Sequence, residues 1–174
     1  MINKNTMGFS DQMELYRIDK QGNWNLEVKT NNAPNLLQKI LCKLGLINYA
    51  GDYLTNYLIN DVATHLGGKY LYVSVGTSDT GSSDYTLNAL SSQVMGRVAS
   101  TNTYILTYGT DPAYPDTTVF TAIITSDGDY DLLEAGLHTT STGGYMGARQ
   151  TFSTWSVTSG EVFGIIWRII NNRG

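Results

Sequence analysis

The chain has 174 residues and a formal net charge of −4, the length of one domain whose core needs no covalent staples. That acidic balance excludes the basic footprint of a nucleic-acid binder, and the single cysteine, Cys42, excludes an internal disulfide and a cysteine-based zinc site. Charged residues make up only 15% of the chain, so Ser, Thr, Asn and Gly must supply most of the polar surface. With 12 tyrosines, this composition suits sheets, turns and contact surfaces. No apolar run reaches the roughly 18 residues of a membrane span, and the first residues lack the apolar core of a signal peptide. The expectation is a protein made in a cytoplasm, kept soluble, and without a membrane or nucleic-acid partner.

In chain order, residues 1–10 read as a flexible arm. Residues 12–18 alternate as a strand, with Met13, Leu15 and Arg17 on one side and Glu14, Tyr16 and Ile18 on the other. Asp19-Lys20-Gln21-Gly22 is a turn, and Trp24, Leu26 and Val28 alternate with Asn25, Glu27 and Lys29 in a half-buried second arm. Leu36, Leu37, Ile40, Leu41 and Leu44 form one apolar stripe of a helix capped by Asn35 and stopped by Gly45. Cys42 lies in that stretch and reads as a buried, inert thiol. A second helical pattern covers 53–66 and closes at Gly67-Gly68, with His65 on its surface near the helix dipole.

From Lys69 the pattern changes to short strands separated by turn clusters. Strands are expected over 69–76, 94–99, 101–108, 117–125 and 162–170, with a helical turn over 85–90 capped by Asp84. The hinge of the pattern is 130–152. Gly143-Gly144 can take the positive φ values of a tight turn, so the segment reads as a β-hairpin. Glu134 on its first arm and Arg149 on its second are placed to pair across the ladder. Arg97 is a further structural cation, a charge partner for Asp84, Glu134 or a neighbouring subunit. Strands at this spacing predict a mostly-β fold. It is an antiparallel β-sandwich of Greek-key or jelly-roll type, with an N-terminal hairpin and one or two short helices. Residues 1–68 hold the arm, hairpin and helical section, and 69–174 the sandwich core, in one compact unit.

Motifs for chemistry are weak. The run from Gly76 to Gly81 is loosely similar to a phosphate loop but lacks the Lys-Ser/Thr of that motif. Asp127-Gly128-Asp129 lacks the spacing and terminal Glu of a calcium loop. No Gly-x-Ser-x-Gly elbow accompanies the two histidines. A glycan hydrolase needs paired carboxylates in one cleft. Asp127, Asp129, Asp131 and Glu134 are the candidates, though turn chemistry already explains the three aspartates. The expectation is therefore no enzyme, no catalytic or metal-binding residues and no cofactor. Loops at 77–84, 109–116 and 138–144 are candidate contact surfaces. Tyr114 between Pro112 and Pro115 is an anchor aromatic, and Tyr85, Tyr145 and Trp155 are further interface candidates.

The run Val73-Ser74-Val75-Gly76-Thr77 is followed by Thr86-Leu87, Arg97 and Leu133-Glu134-Ala135-Gly136-Leu137. Then come Gly143-Gly144-Tyr145-Met146-Gly147-Ala148-Arg149, Phe152 and an apolar last strand. This order over about 71–170 resembles a recurring β-rich module in virion proteins of tailed bacteriophages. Within it, Glu134, Gly136, Leu137, Ala148, Arg149 and Phe152 match the core hairpin of a sandwich. The resemblance implies a structural virion role and no chemistry. It implies other virion proteins as partners, such as a major capsid protein or tail and neck subunits, with the chain itself in a homo-oligomer or multicopy lattice. A capsid decoration or auxiliary protein is the favoured form, because no coiled-coil heptad or collagen-like repeat is present. A tail, neck or fibre component and a carbohydrate-binding module are the alternatives.

Overall fold

The structure is a computed structural model that describes residues 9–32, 56–79, 89–105 and 116–171. The helical stripe at 36–44, Cys42, Asp84, Tyr85 and Tyr114 lie outside these residues. Two antiparallel hairpins lie toward the two ends of the described chain. β1 (Phe9–Ile18) pairs with β2 (Trp24–Asn32), and β7 (Tyr130–His138) pairs with β8 (Met146–Val157). Between them lie α1 (Asn56–Lys69), β3 (Tyr72–Gly76), β4 (Gln93–Ala99), β5 (Thr101–Ile105) and β6 (Thr117–Thr125), and β9 (Val162–Asn171) closes the chain. The strands form a five-stranded sheet in the order β2-β1-β9-β6-β5 and a four-stranded sheet in the order β4-β3-β7-β8.

The architecture is the mostly-β, two-sheet arrangement with an N-terminal hairpin that the turn spacing predicts. Its core follows from alternation along the strands. From the larger sheet, Met13, Leu15, Phe120, Ala122, Ile124, Phe163, Ile165 and Trp167 point inward. From the smaller sheet come Val73, Val75, Leu132, Ala135, Leu137 and Trp155. β9 is apolar at almost every position because it lies at the centre of its sheet, between β1 and β6. Met13 and Leu15 are fully buried against it, so the N-terminal hairpin is part of the sandwich itself.

The two sheets join along both flanks. On one, β4 ends in the small sheet, Ser100 donates its backbone N–H to Leu71 O at 2.8 Å, and β5 begins in the large sheet. On the other, Thr30 of β2 donates its hydroxyl to Gln150 Oε1 of β8 at 2.7 Å, a part-buried bond between the sheets. The last turns of α1 lie against the inward-facing side chains of β5 and β6. Thr118 Oγ1 donates to Ala63 O at 2.7 Å, Tyr104 OH to Thr64 O at 3.3 Å, and Asn102 Nδ2 to Gly67 O. The last bond satisfies a carbonyl that a helix end would otherwise leave unpaired.

Three expectations change. Gly67-Gly68 do not stop the helix, which runs on to Lys69. Gly67 instead leaves room for the Tyr104 phenol, which a Cβ would meet at 2.4 Å. The arm over 1–10 gives way to strand at Phe9. Finally, Trp24 and Leu26 do not share a buried face with Val28. Leu15 stands opposite Val28 and Tyr16 opposite Leu26, so Glu27 is an extra residue, a β-bulge that reverses the alternation. Val28 faces inward, while Trp24 and Leu26 lie on the outer face, 37% and 52% exposed.

Candidate functional site

The charged residues singled out in the sequence gather on the outer face of the four-stranded sheet. Glu134 is placed by β7 and Arg149 by β8, and Arg149 Nε donates to Glu134 Oε2 at 2.6 Å. The Glu134 side chain is 0% exposed and that of Arg149 13%. The carboxylate's other oxygen accepts the Ser92 backbone N–H at 3.0 Å, and Arg149 reaches on to Ser78 O at 3.4 Å. Gly76, opposite Glu134 on β3, makes room for this acid: a Cβ there would stand 2.5 Å from Glu134 Oε1. The turn between the hairpin arms holds Gly143 at φ 62 and Gly144 at φ 67, where side chains are disfavoured.

Among the described residues Arg97 makes no ion pair: of its expected partners, Glu134 is taken by Arg149, and Asp84 lies outside the described residues. It sits in a second bulge. Val73 stands opposite Val98 and Val75 opposite Val94, so Met95, Gly96 and Arg97 together face Ser74. Met95 takes the left-handed backbone, φ 59, to make this turn. The bulge aims the guanidinium at the tip of the β7–β8 hairpin. There Arg97 Nη1 donates to the carbonyls of Thr140 and Gly143, and its Nε donates to Gln93 Oε1 at 3.4 Å. Among the described residues the guanidinium is thus held by two backbone carbonyls and an amide oxygen.

Beside it is a pair the sequence did not reveal. Ser74 Oγ and His138 Nε2 are hydrogen-bonded at 2.7 Å, and His138 Nδ1 has no partner among the described residues. The separation is that of a nucleophile and its base. Yet Ser74 is 1% exposed and His138 0%, so no substrate reaches either in this conformation. Burial, and then the charge of Arg97, push the imidazole from 6.5 down to about 4, so it is neutral near pH 7. The one visible signal is Ser74 itself, a polar residue interrupting Val73 and Val75.

The carboxylates weighed for glycan hydrolysis have structural partners. Asp127 accepts from Tyr130 OH, Asp129 from the Ser159 N–H and Asp131 from Ser156 Oγ. Of the interface candidates, Tyr145 is 69% exposed at the hairpin tip. Trp155 is instead a core residue, 5% exposed, with its ring edge-on to Phe163 at 5.1 Å. Position 155 faces inward because it pairs with Leu132, a core position of β7.

The outer face of the five-stranded sheet carries a second group missed in the sequence. Glu14, only 6% exposed, accepts from Tyr16 OH at 2.9 Å, from Lys29 Nζ and from Arg168 Nη1. Burial opposes its charge, but these three partners prevail and hold the carboxyl at about 2. Next to it, the Trp24 ring stands edge-on to Tyr16 at 5.5 Å. Compared with known proteins, the chain matches no protein family's sequence profile, no curated protein and no solved structure.

Proposed function

We propose that this protein is a non-enzymatic structural component of a tailed-bacteriophage virion, in the form of a capsid decoration or auxiliary protein that binds neighbouring virion subunits. One observation carries the reading. Glu134, Gly136, Leu137, Ala148 and Arg149, which carry the resemblance to virion proteins, converge on one hairpin, with acid and base in direct contact. The polar groups around that hairpin brace loops: Glu134 holds the Ser92 amide, and Arg97 holds the Thr140 and Gly143 carbonyls. The rigid tip presents Tyr145, 69% exposed, the kind of aromatic anchor that contact surfaces favour. Weak contacts of this sort become firm when many copies sit on a repeating lattice.

Quantitative mass spectrometry of purified virions, with cryo-electron microscopy of the same particles, tests this. Copies on the order of hundreds per particle, arrayed over the shell, are expected for a lattice-bound subunit. A handful to roughly a dozen copies at the neck or tail would move the protein to those structures. Absence from washed particles would overturn the proposal.

A further inference from the structure

We infer that the outer face of the five-stranded sheet binds an acidic oligosaccharide, one sugar ring stacking on the Trp24 indole and its carboxylate facing Lys29 and Arg168. This site lies on the sheet opposite the Glu134 hairpin and does not depend on the virion reading. Three features support it.

The first is a built platform. The Trp24 indole lies over β9 because residue 164 is glycine, and a Cβ there would meet the ring at 2.3 Å. Tyr16 contacts the ring edge-on at an interplanar angle of 63°, which fixes its orientation. The indole is thus backed by the sheet on one face and 37% exposed. Leu26 and Ile123, 52% and 54% exposed, flank it, since both stand beside the Tyr16–Gly164 row. An exposed aromatic ring held rigid by its neighbours suits the apolar C–H face of a sugar, and it loses little side-chain entropy on binding.

The second feature is charge. One outward step along the strands, roughly 7 Å, are Glu14 and Lys29, with Arg168 in the same cluster. The trio is two cations and one anion, a net of +1. The anion is buried, whereas the cations show their side chains to solvent, 47% for Lys29 and 26% for Arg168. The surplus positive charge therefore faces outward beside the ring, complementary to a carboxylate.

The third is size. Three part-exposed apolar side chains, Trp24, Leu26 and Ile123, are few beside the roughly 20–30 residues a side of a stable protein interface. Such a patch matches a ligand one or two rings across, and the charge next to it selects acidic over neutral sugars.

Titration of the full chain with trigalacturonic acid, and separately with maltotriose, followed by tryptophan fluorescence and calorimetry, tests the site. Trp155 and Trp167 are buried in the core at 5% and 0% exposure, so a fluorescence change belongs to Trp24. The acid is expected to give a saturable change, and maltotriose to bind at least about tenfold more weakly. By calorimetry, Trp24→Ala should lower trigalacturonate affinity about tenfold, what roughly 1.4 kcal/mol of ring contact is worth. Lys29→Gln should remove most of the preference for the acid. The inference is overturned by no saturable binding up to ~10 mM acid, by equal affinity for the two sugars, or by undiminished binding in a Trp24→Ala protein that melts like wild type. If Trp24→Ala does not fold, Lys29→Gln at the surface decides, and unchanged trigalacturonate affinity in that variant overturns the inference.

Discussion

A buried ion pair is a weak source of stability but a costly thing to halve, because the surviving charge is left in a site water cannot reach. Glu134 is the sharper half of the pair with Arg149: it is fully buried, and its carboxylate also receives the Ser92 amide. Arg149→Met is expected to destabilise the fold by roughly 3–5 kcal/mol, the cost of an uncompensated buried carboxylate. Glu134→Gln keeps an oxygen for Ser92 and removes only the negative charge facing Arg149, itself 13% exposed, at a smaller cost. Urea unfolding of wild type, both single variants and the double variant gives the coupling between them. An Arg149→Met protein within ~1 kcal/mol of wild type would show that the pair does not hold the hairpin.

At the scale of elements, the two glycines at the end of α1 separate propensity from packing. A helical glycine normally costs about 1 kcal/mol relative to alanine. Nothing lies within 4 Å of a Cβ at Gly68, but at Gly67 the Tyr104 ring occupies the space at 2.4–2.8 Å. Gly68→Ala should therefore raise stability by about 0.5–1 kcal/mol. Gly67→Ala should lose that gain or reverse it, because Tyr104 must leave its bond to Thr64 O. Thermal melts of the two variants check the contrast, and equal gains would show that Tyr104 yields freely. Such local grammar is also what the sequence made legible. A Gly-Gly turn with opposite charges on its arms marks the β7–β8 hairpin, and strict alternation marks β6. Sheet membership was not legible, because β4 and β5 are separated only by Ser100 yet belong to different sheets. The bulges were hidden for the same reason. The phase change at Glu27 and the re-aiming of Arg97 are fixed by the partner strand, which alternation along one strand does not record.

At the scale of the whole molecule, His138 on the outer face of one sheet and Glu14 on the outer face of the other are buried groups whose titration folding shifts, and both contribute to the response to acid. Burial and then Arg97 hold the His138 imidazole down at about 4, from 6.5. The unfolded chain therefore takes up that proton first, and stability falls as pH drops from 6.5 to 4, by up to roughly 3 kcal/mol. For Glu14, burial opposes ionisation, but Lys29, Arg168 and Tyr16 outweigh it and hold the carboxyl at about 2, from 4.5. Its contribution is complete above 4.5 and is lost as pH falls toward 2. Of the two, His138 acts between 6.5 and 4.5; near 4 they overlap, and below that Glu14 dominates. Both losses run in the same direction, so stability should fall throughout the acid range below 6.5. Urea unfolding free energies from about pH 7 to about pH 3 read this directly. His138→Gln should flatten the upper part of the curve and leave the lower part, while Glu14→Gln should do the reverse. A wild-type curve with no slope between 6.5 and 4.5 would mean that His138 exchanges protons freely in the folded state, and that the Ser74–His138 pair is not sealed from water.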